Sequence, residues 1–183
     1  QYLTTSFGQG VSVTSLQMLT AVNAIANDGV IMQPHIVRAR IENGQRIEIQ
    51  PSADSRPISA ETAHIARDIM VQVITAPDGD DLFEFPGYSV AGKTGTAEVP
   101  DEATGRYKAD ASNASFVGFL PADDPVVSVI VRLEEPTPRW GSQTAAPTFQ
   151  NLVERLVVLM EIPPDAVRHQ LESLGGEPLR REY

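Results

Sequence analysis

Apolar residues recur at helical spacing in three stretches of the chain. The first begins at residues 14–17, Thr-Ser-Leu-Gln, which have the form of a capping box, and it ends at Gly29. Because apolar residues cover most of its circumference, we expect this helix to be largely buried. Ser59 is placed to cap a second helix that runs to about Thr75. A third helix is predicted over residues 146–160, and it ends before Pro163-Pro164.

The second helix should bury one apolar face. Its Ile65, Ile69 and Val73 follow each other at i, i+4 spacing, with Ala66 and Met70 alongside, and these five side chains predict the buried stripe. The turn residues at 77–80, Pro-Asp-Gly-Asp, then end the helix.

Extended segments are predicted where β-branched residues and alternation replace the helical period. Residues 30–49 indicate a hairpin that turns at residues 42–45, Glu-Asn-Gly-Gln. Three further strands are predicted, at residues 88–99, 115–120 and 126–131. A polar loop over residues 100–113 should follow the first of them. The turn at residues 121–125 should join the other two as an antiparallel pair.

The composition excludes several classes of function. The chain has 183 residues, with 24 acidic against 14 basic residues and no basic block, so nucleic acid is excluded as a partner. It has no cysteine and three scattered histidines, so we expect no metal and no cofactor. No apolar stretch approaches the roughly 20 residues of a membrane-spanning helix, and the first residues do not resemble a signal peptide.

One segment matches a nucleotide-binding pattern. Residues 87–94, Gly-Tyr-Ser-Val-Ala-Gly-Lys-Thr, fit the form G-x-x-x-x-G-K-[ST] of P-loop nucleotide triphosphatases. That motif requires a buried strand before its first glycine and a helix that begins at its lysine, because the helix N-terminus supplies amides to the phosphates. Residues 80–86 are too charged for a central strand, and Gly95, Thr96 and Pro100 follow where the helix would run. A P-loop nucleotide triphosphatase is therefore a remote alternative.

As a strand, the same segment places Lys93 and Gly95 on one face and Thr94 and Thr96 on the other. Glycine lets another backbone approach closely, which suits an edge strand that binds a peptide as an added strand. The ammonium and the hydroxyls would then engage a carboxylate. The alternative is a solvated lysine on a glycine-rich edge, and the residue types alone favour it, since most lysines lie on the surface.

The residues around this segment resemble those of penicillin-binding proteins. Residues 93–96, Lys-Thr-Gly-Thr, resemble the K-T-G element of serine transpeptidases and β-lactamases. Three further blocks resemble the family in order and spacing: a glycine turn and helix at residues 6–18, closed by residues 27–30; the strand after K-T-G at residues 114–122; and the start of the closing helix at residues 141–149. The likeness covers about residues 6–164, and Thr96-Ala97-Glu98 favours the monofunctional, class B type over the bifunctional one.

The resemblance implies a fold, a reaction and roles for four residues. The fold is mixed α/β, an α-β-α sandwich with an antiparallel sheet, of the β-lactamase/transpeptidase type. The reaction is acyl transfer: a serine attacks the carbonyl of a D-Ala-D-Ala stem peptide, D-Ala leaves, and an amine of a neighbouring stem peptide takes the acyl group. Lys93 and Thr94 would hold the terminal carboxylate of the stem peptide or of a β-lactam, and Gly95 would let the acyl donor lie flat. Thr96 would contact that carboxylate with its hydroxyl and give its backbone N–H to the oxyanion hole.

Two elements of the family pattern have no match in the 183 residues. Lys93 and Lys108 are the only lysines, and Val90 and Gly105 stand three residues before them, so S-x-x-K is absent. No serine has asparagine two positions later, so S-x-N is absent too. Both elements lie upstream of K-T-G in the family. We therefore expect the chain to begin inside the domain, after the nucleophile helix, and we predict that penicillin does not acylate it.

The resemblance also implies an organisation and partners. Residues 1–164 would be the C-terminal half of a transpeptidase domain, and residues 165–183 a tail with a short helix followed by disordered residues. The implied partners are stem peptides, β-lactams and the N-terminal half of the same domain, without which the strand at residues 126–133 would expose an edge that favours self-association. The implied location is the extracytoplasmic face of the bacterial cytoplasmic membrane, with an anchor upstream of this chain. The alternative function is a non-catalytic penicillin sensor or scaffold of the same fold, which the residues present do not separate from an enzyme.

Three further features receive no catalytic role. Trp140, beside Arg139, is about twice as often packed on its own domain as in the wall of a substrate groove. Glu134-Glu135 indicates a solvated turn rather than a general-acid pair. Tyr107 and Lys108 fall in the predicted polar loop, without an assigned role.

Overall fold

The computed structural model describes residues 11–75, 82–101 and 103–175. Its elements, in chain order, are α1 (Ser15–Ala26), β1 (Ile31–Met32), β2 (Ala39–Glu42), β3 (Gln45–Glu48), β4 (Ala53–Ser55), α2 (Ala60–Ile74), β5 (Ala91–Asp101), β6 (Arg106–Leu120), β7 (Val127–Glu134), α3 (Ala145–Leu159) and α4 (Asp165–Ser173). The glycine turn at residues 6–10, the turn at residues 77–80 and the end of the tail from residue 176 lie outside the described residues. Within those ranges, no helix is both long and apolar enough to cross a membrane.

The three long strands form one antiparallel sheet in the order β5-β6-β7, with β6 in the centre. This confirms the predicted strands and the antiparallel pairing of the last two. Helices lie on both faces of the sheet, and the side chains of successive β6 residues point to opposite faces. Phe116 and Leu120 point to the face covered by α3, and Phe119 points to the face covered by α1 and α2.

Aromatic packing fills the α3 face. In α3, Phe149, Val153 and Val157 follow at i, i+4 spacing and are buried, and the helix itself is confirmed. The Phe149 ring lies 4.5 Å from that of Phe116, and the ring of Phe83 lies 5.8 Å from Phe116 on the other side. Phe116 and Phe149 have no exposed surface, so this cluster fixes α3 against the sheet.

The first helix begins and ends as predicted. The Thr14 hydroxyl accepts a hydrogen bond from Gln17 N at 3.2 Å, and the Gln17 side chain accepts one from Thr14 N at 2.9 Å, which completes the capping box. Gly29 follows the helix with a φ of 88°. A Cβ there would lie 2.1 Å from the carbonyl oxygen of Ile58, so glycine is required both by the conformation and by the space.

The prediction that α1 is largely buried is wrong. Only Ala24 of this helix is buried, whereas Leu16 is 56% exposed and Met18 is 39% exposed. The helix packs on one side, where Val22 and Ile25 contact the core of the sheet. No element in the described ranges covers the opposite side, so a helix that is apolar almost all round is buried along one stripe only.

The predicted apolar face of α2 is wrong for Ile65 and Ile69 and right for Met70, and the helix and its Ser59 cap are confirmed. Ile65 and Ile69 are 56% and 57% exposed, and the buried side chains of this helix are Ala63, Met70 and Ile74. The physical reason is Arg67, which lies on the buried side. Its guanidinium donates to the carbonyl oxygens of Ile25 at 3.4 Å and Ala26 at 3.2 Å, the last residues of α1. A charged residue therefore belongs to the packed stripe because it satisfies a helix end.

The hairpin predicted in residues 30–49 is confirmed, since β2 pairs with β3 across Asn43 and Gly44, which both have positive φ.

The polar loop predicted at residues 100–113 is wrong. There β5 and β6 continue to pair as far as Asp101 and Arg106, so the connection is only residues 102–105. Backbone hydrogen bonds hold this exposed part of the ladder, and they require no apolar side chains.

The segment after residue 164 forms a short helix. Helix α4 occupies residues 165–173, after Pro164 as its N-cap, and the chain continues to Gly175 within the described residues. Its Arg168 is buried, which ties the helix to the body of the fold.

Candidate functional site

The segment at residues 93–96 lies in the middle of β5, which forms one edge of the sheet. Across to β6 the pairs are Lys93 with Val117, Thr94 with Phe116, Gly95 with Ser115, and Thr96 with Ala114. Lys93 and Gly95 thus belong to the α1/α2 face, and Thr94 and Thr96 belong to the α3 face, as the strand interpretation predicted. The four residues that the family resemblance singles out are consecutive on an edge strand.

The extended backbone overturns the P-loop alternative, because a strand runs where that motif needs a helix at Lys93. The second glycine of the pattern, Gly92, has a packing role instead. A Cβ on Gly92 would lie 2.4 Å from the ring of Phe116, and one on Gly118, its partner in β6, would lie 2.7 Å from the Ala91 carbonyl oxygen. Gly92 therefore leaves room for the aromatic core of the α3 face.

Lys93 presents its charge at the exposed edge. Its Nζ donates to the Thr94 carbonyl oxygen at 3.0 Å and lies 3.4 Å from the Thr94 hydroxyl. No acidic side chain of the described residues pairs with it, whereas Lys108 is bound to Glu135 at 2.6 Å. An ammonium with a hydroxyl beside it and no carboxylate partner is an arrangement suited to an anionic ligand.

Thr96 is held from the α3 side by a segment that crosses the sheet. Its hydroxyl oxygen accepts a hydrogen bond from the backbone N–H of Gly141 at 3.2 Å. We call residues 139–141 the strap, because this segment lies across β5 and β6 just before α3. At its other end the buried Ser112 hydroxyl donates to the Arg139 carbonyl oxygen at 2.5 Å. The strap is therefore attached to both strands.

Trp140 lies between these two attachments. Its side chain is 47% exposed, and the Arg139 guanidinium lies 4.6 Å from the ring centroid, in a cation–π contact. Glu134 is the last residue of β7 and Glu135 follows it; both are exposed as predicted, with Glu134 paired with Arg132 and Glu135 paired with Lys108.

Helix α4 anchors the residues just before β5, a contact that no pattern along the chain predicted. The Asp165 carboxylate accepts a hydrogen bond from Ser89 N at 2.6 Å, and the Gly87 carbonyl oxygen accepts one from Asp165 N at 2.8 Å. Tyr88 donates its hydroxyl to the Ile162 carbonyl oxygen at 2.8 Å. Burial, and then the charge of Asp165, raise the pKa of Tyr88, so it remains a neutral donor.

An ion cluster around the buried Arg168 holds that helix in place. Arg168, with a side chain 9% exposed, donates to Asp123 at 2.5 Å and to Asp165 at 2.8 Å, and His169 contacts Asp123 at 2.6 Å. Burial opposes ionisation of Asp123, but the hydrogen bonds from His169 and Arg168 outweigh it and lower its pKa to about 2. Among the described residues, no cluster of three or more metal-ligating side chains is present.

Comparisons with known sequences agree on one family. The sequence model of the penicillin binding protein transpeptidase domain matches residues 1–154. Stage V sporulation protein D of Bacillus subtilis is 36% identical over 184 residues, which cover 98% of this chain and 26% of that protein. The probable peptidoglycan D,D-transpeptidase PbpC of Pseudomonas aeruginosa is 33% identical over 163 residues, 87% of this chain and 27% of that protein. The chain thus spans about a quarter of the length of the curated relatives it matches.

Solved structures lead to the same fold. One match is the structure of penicillin binding protein 3 of Mycobacterium tuberculosis in complex with aztreonam. The match covers 100% of this chain and 41% of that structure's chain, with a TM-score of 0.80 and 32% identity. The ampicillin complex of that protein matches 86% of this chain and 37% of its own, with a TM-score of 0.76 and 35% identity. The fold is therefore the mixed α/β, β-lactamase/transpeptidase-like fold that the resemblance implied.

Proposed function

This chain belongs to the penicillin-binding protein transpeptidase family, in its class B type, and from that premise we propose that it provides the substrate-binding strand of a serine D,D-transpeptidase. The whole protein would cross-link peptidoglycan stem peptides by acyl transfer. The observation that carries the proposal is the exposed edge of β5, where Lys93 has a neighbouring hydroxyl and no acidic partner among the described residues.

The edge of β5 suits an acyl donor that binds as an added strand. Alternate residues of an edge strand direct N–H and C=O groups away from the sheet, so a D-Ala-D-Ala peptide can pair with them. Gly95 has no side chain to obstruct this approach. The space that a Cβ on Gly95 would need is taken by the Ser115 hydroxyl, at 2.4 Å, so the sheet itself also favours glycine here.

Three groups would bind the terminal carboxylate of the donor. The Lys93 ammonium supplies the charge, and the Thr94 and Thr96 hydroxyls supply further donors. The backbone N–H of Thr96 would form one half of the oxyanion hole, a contribution of about 3 kcal/mol to transition-state stabilisation. These roles follow the family resemblance, residue by residue.

The nucleophile would come from sequence outside this chain, since the 183 residues hold no S-x-x-K. Its serine oxygen would bond to the carbonyl carbon, D-Ala would leave with a proton, and a stem-peptide amine would take the acyl group from the serine. Relatives are named peptidoglycan D,D-transpeptidases, and because peptidoglycan lies outside the cytoplasm we infer an extracytoplasmic setting for this protein.

The two lysines of the chain allow a matched test. Titration of the ¹⁵N-labelled chain with a peptide that ends in D-Ala-D-Ala should shift the amide signals of residues 93–97. Lys93→Gln should weaken binding about tenfold, because a charge-assisted contact is lost, and Lys108→Gln should not weaken it. The peptide with an amidated C-terminus should bind Lys93→Gln and the unsubstituted chain alike. Equal effects of the two lysine variants, or shifts confined to other elements, would refute the site.

A second measurement addresses the reaction. Fluorescent penicillin should not label the 183-residue chain covalently but should label the product of the complete reading frame. Absence of label in the complete product, with peptide binding retained, would favour the alternative of a non-catalytic scaffold. Labelling of the chain itself would contradict the placement of the nucleophile.

A further inference from the structure

The strap makes a contact to Thr96 that the family resemblance does not assign. The Gly141 N–H donates to the Thr96 hydroxyl oxygen, so that oxygen acts as an acceptor. A hydroxyl that accepts one hydrogen bond still has its own hydrogen to donate. Nothing in residues 11–75, 82–101 or 103–175 accepts that hydrogen. The oxygen position is therefore fixed while its hydrogen stays available.

Gly141 lies too close to the sheet to carry a side chain. A Cβ there would be 2.4 Å from the Gly95 carbonyl oxygen and 2.7 Å from that of Ser115. Both are backbone atoms of paired strands, and they cannot move away without bending the sheet. The φ of Gly141 lies outside the left-handed region, so its conformation does not require glycine. Close approach is the reason for glycine, and it brings the N–H within reach of Thr96.

The donor is held rigidly from both sides. On the α3 side, the Gly141 carbonyl oxygen accepts a hydrogen bond from Ala146 N at 2.9 Å, and Ala146 is fully buried at the start of that helix. On the β6 side, Ser112 is bound to Arg139. A group fixed by a packed helix and a central strand keeps its geometry whether or not a ligand is bound.

We propose that the Gly141 N–H positions the Thr96 hydroxyl to donate to the carboxylate of a D-Ala-D-Ala ligand, an inference that rests on the proposed function. Without this bond, Thr96 is free to take another staggered rotamer, and its hydroxyl then leaves the ligand. Gly141 does not touch the ligand. It is a positioning residue that acts through Thr96.

The test compares two ligands in the ¹⁵N-labelled chain and in two single variants, their combination and a control variant. Because the paired strands cannot yield, the Cβ of Gly141→Ala should push the strap and its N–H away from Thr96. The peptide with a free carboxylate should then bind about tenfold more weakly and the amidated peptide less than about twofold. Thr96→Val, which removes the hydroxyl, should cause the same selective loss. In the Thr96→Val chain, Gly141→Ala should then cost no further affinity for the carboxylate peptide. Ser142→Ala, an exposed change in the same turn, is the control and should leave both affinities unchanged.

Hydrogen exchange of the Gly141 amide tests the bond itself without changing the strap. Its protection should fall in Thr96→Val and persist in Thr96→Ser, which keeps the acceptor oxygen. Unchanged protection in Thr96→Val, equal losses for the two peptides in Gly141→Ala, or full additivity of the two substitutions would each overturn the inference and leave the proposed function standing. Failure of the unsubstituted chain to bind the carboxylate peptide would overturn the proposed function, and this inference with it.

Discussion

The substitution Gly92→Ala tests why a glycine precedes Lys93. The added Cβ would lie 2.4 Å and 2.8 Å from two atoms of the Phe116 ring and 3.2 Å from the Val117 carbonyl oxygen. Carbon atoms in favourable contact are about 3.5–4.0 Å apart, so the ring must move by about 1 Å. It has no room, since Phe116 has no exposed surface and packs on Phe149 and Phe83. Overpacking of this kind destabilises the folded chain by about 1–3 kcal/mol. Alanine also restricts the backbone of the unfolded chain more than glycine does, which offsets up to about 1 kcal/mol of that loss. We expect Gly92→Ala to lower the free energy of unfolding by about 1–2 kcal/mol.

Urea unfolding, followed by circular dichroism, measures this change as a shift of the midpoint at constant slope. The double variant with Phe116→Leu provides the control, because the smaller side chain removes the overlap. In that background Gly92→Ala should cost less than about 0.5 kcal/mol, a clear departure from additivity. Additive losses, or a stabilised Gly92→Ala chain, would show that the packing of the core does not require glycine at position 92. Ligand binding would then remain as the explanation for this glycine.

Two further predictions concern the ion cluster and the corrected face of α2. Asp123 has a pKa of about 2, below its ordinary value of 3.8, so its ionised contacts stabilise the fold above about pH 4 and this stability is lost as the pH falls toward 2. Its side chain is 41% exposed and solvent screens the contacts, so the contribution is about 1 kcal/mol. The stability difference between the unsubstituted chain and Asp123→Asn should therefore be larger at pH 6 than at pH 2.5, and a constant difference would contradict the assignment. In α2, Ile69→Gln should change the free energy of unfolding by less than about 0.5 kcal/mol, whereas Met70→Ala should lower it by about 2 kcal/mol or more. A larger loss for Ile69→Gln than for Met70→Ala in urea titrations would return Ile69 to the buried stripe and contradict the exposure seen here.

Local patterns identified most of the elements because their causes lie within a few residues. The capping box at Thr14 is a contact across three positions, and the hairpin turn at Asn43-Gly44 depends on two residues that accept positive φ. The edge strand at Lys93 was predicted in the same way, since Gly95 and Thr96 rule out the helix that a P-loop requires. The family resemblance supplied the fold, because the spacing of its blocks reflects how strands and helices follow each other.

Predictions that depended on what packs against an element were less successful. In α2 the apolar period pointed to Ile65 and Ile69, but the buried stripe includes Arg67, whose partners are carbonyl oxygens more than 40 residues earlier at the end of α1. In α1 the all-round apolar composition indicated burial, yet one stripe alone has a neighbour among the described residues. The polar residues after Asp101 suggested a loop, although the ladder to β6 continues through Arg106.

The sequence by itself determined the helices, most of the strands, the family and the extended backbone of residues 93–96, because each is encoded in short-range spacing and chemistry. Only the tertiary structure decided how those residues are held. Gly141 reaches Thr96 from 45 positions away, and Asp165 reaches Ser89 from 76 positions away. Such contacts form when the folded sheet brings distant backbone groups within about 3 Å, and no pattern along the chain records which groups will meet.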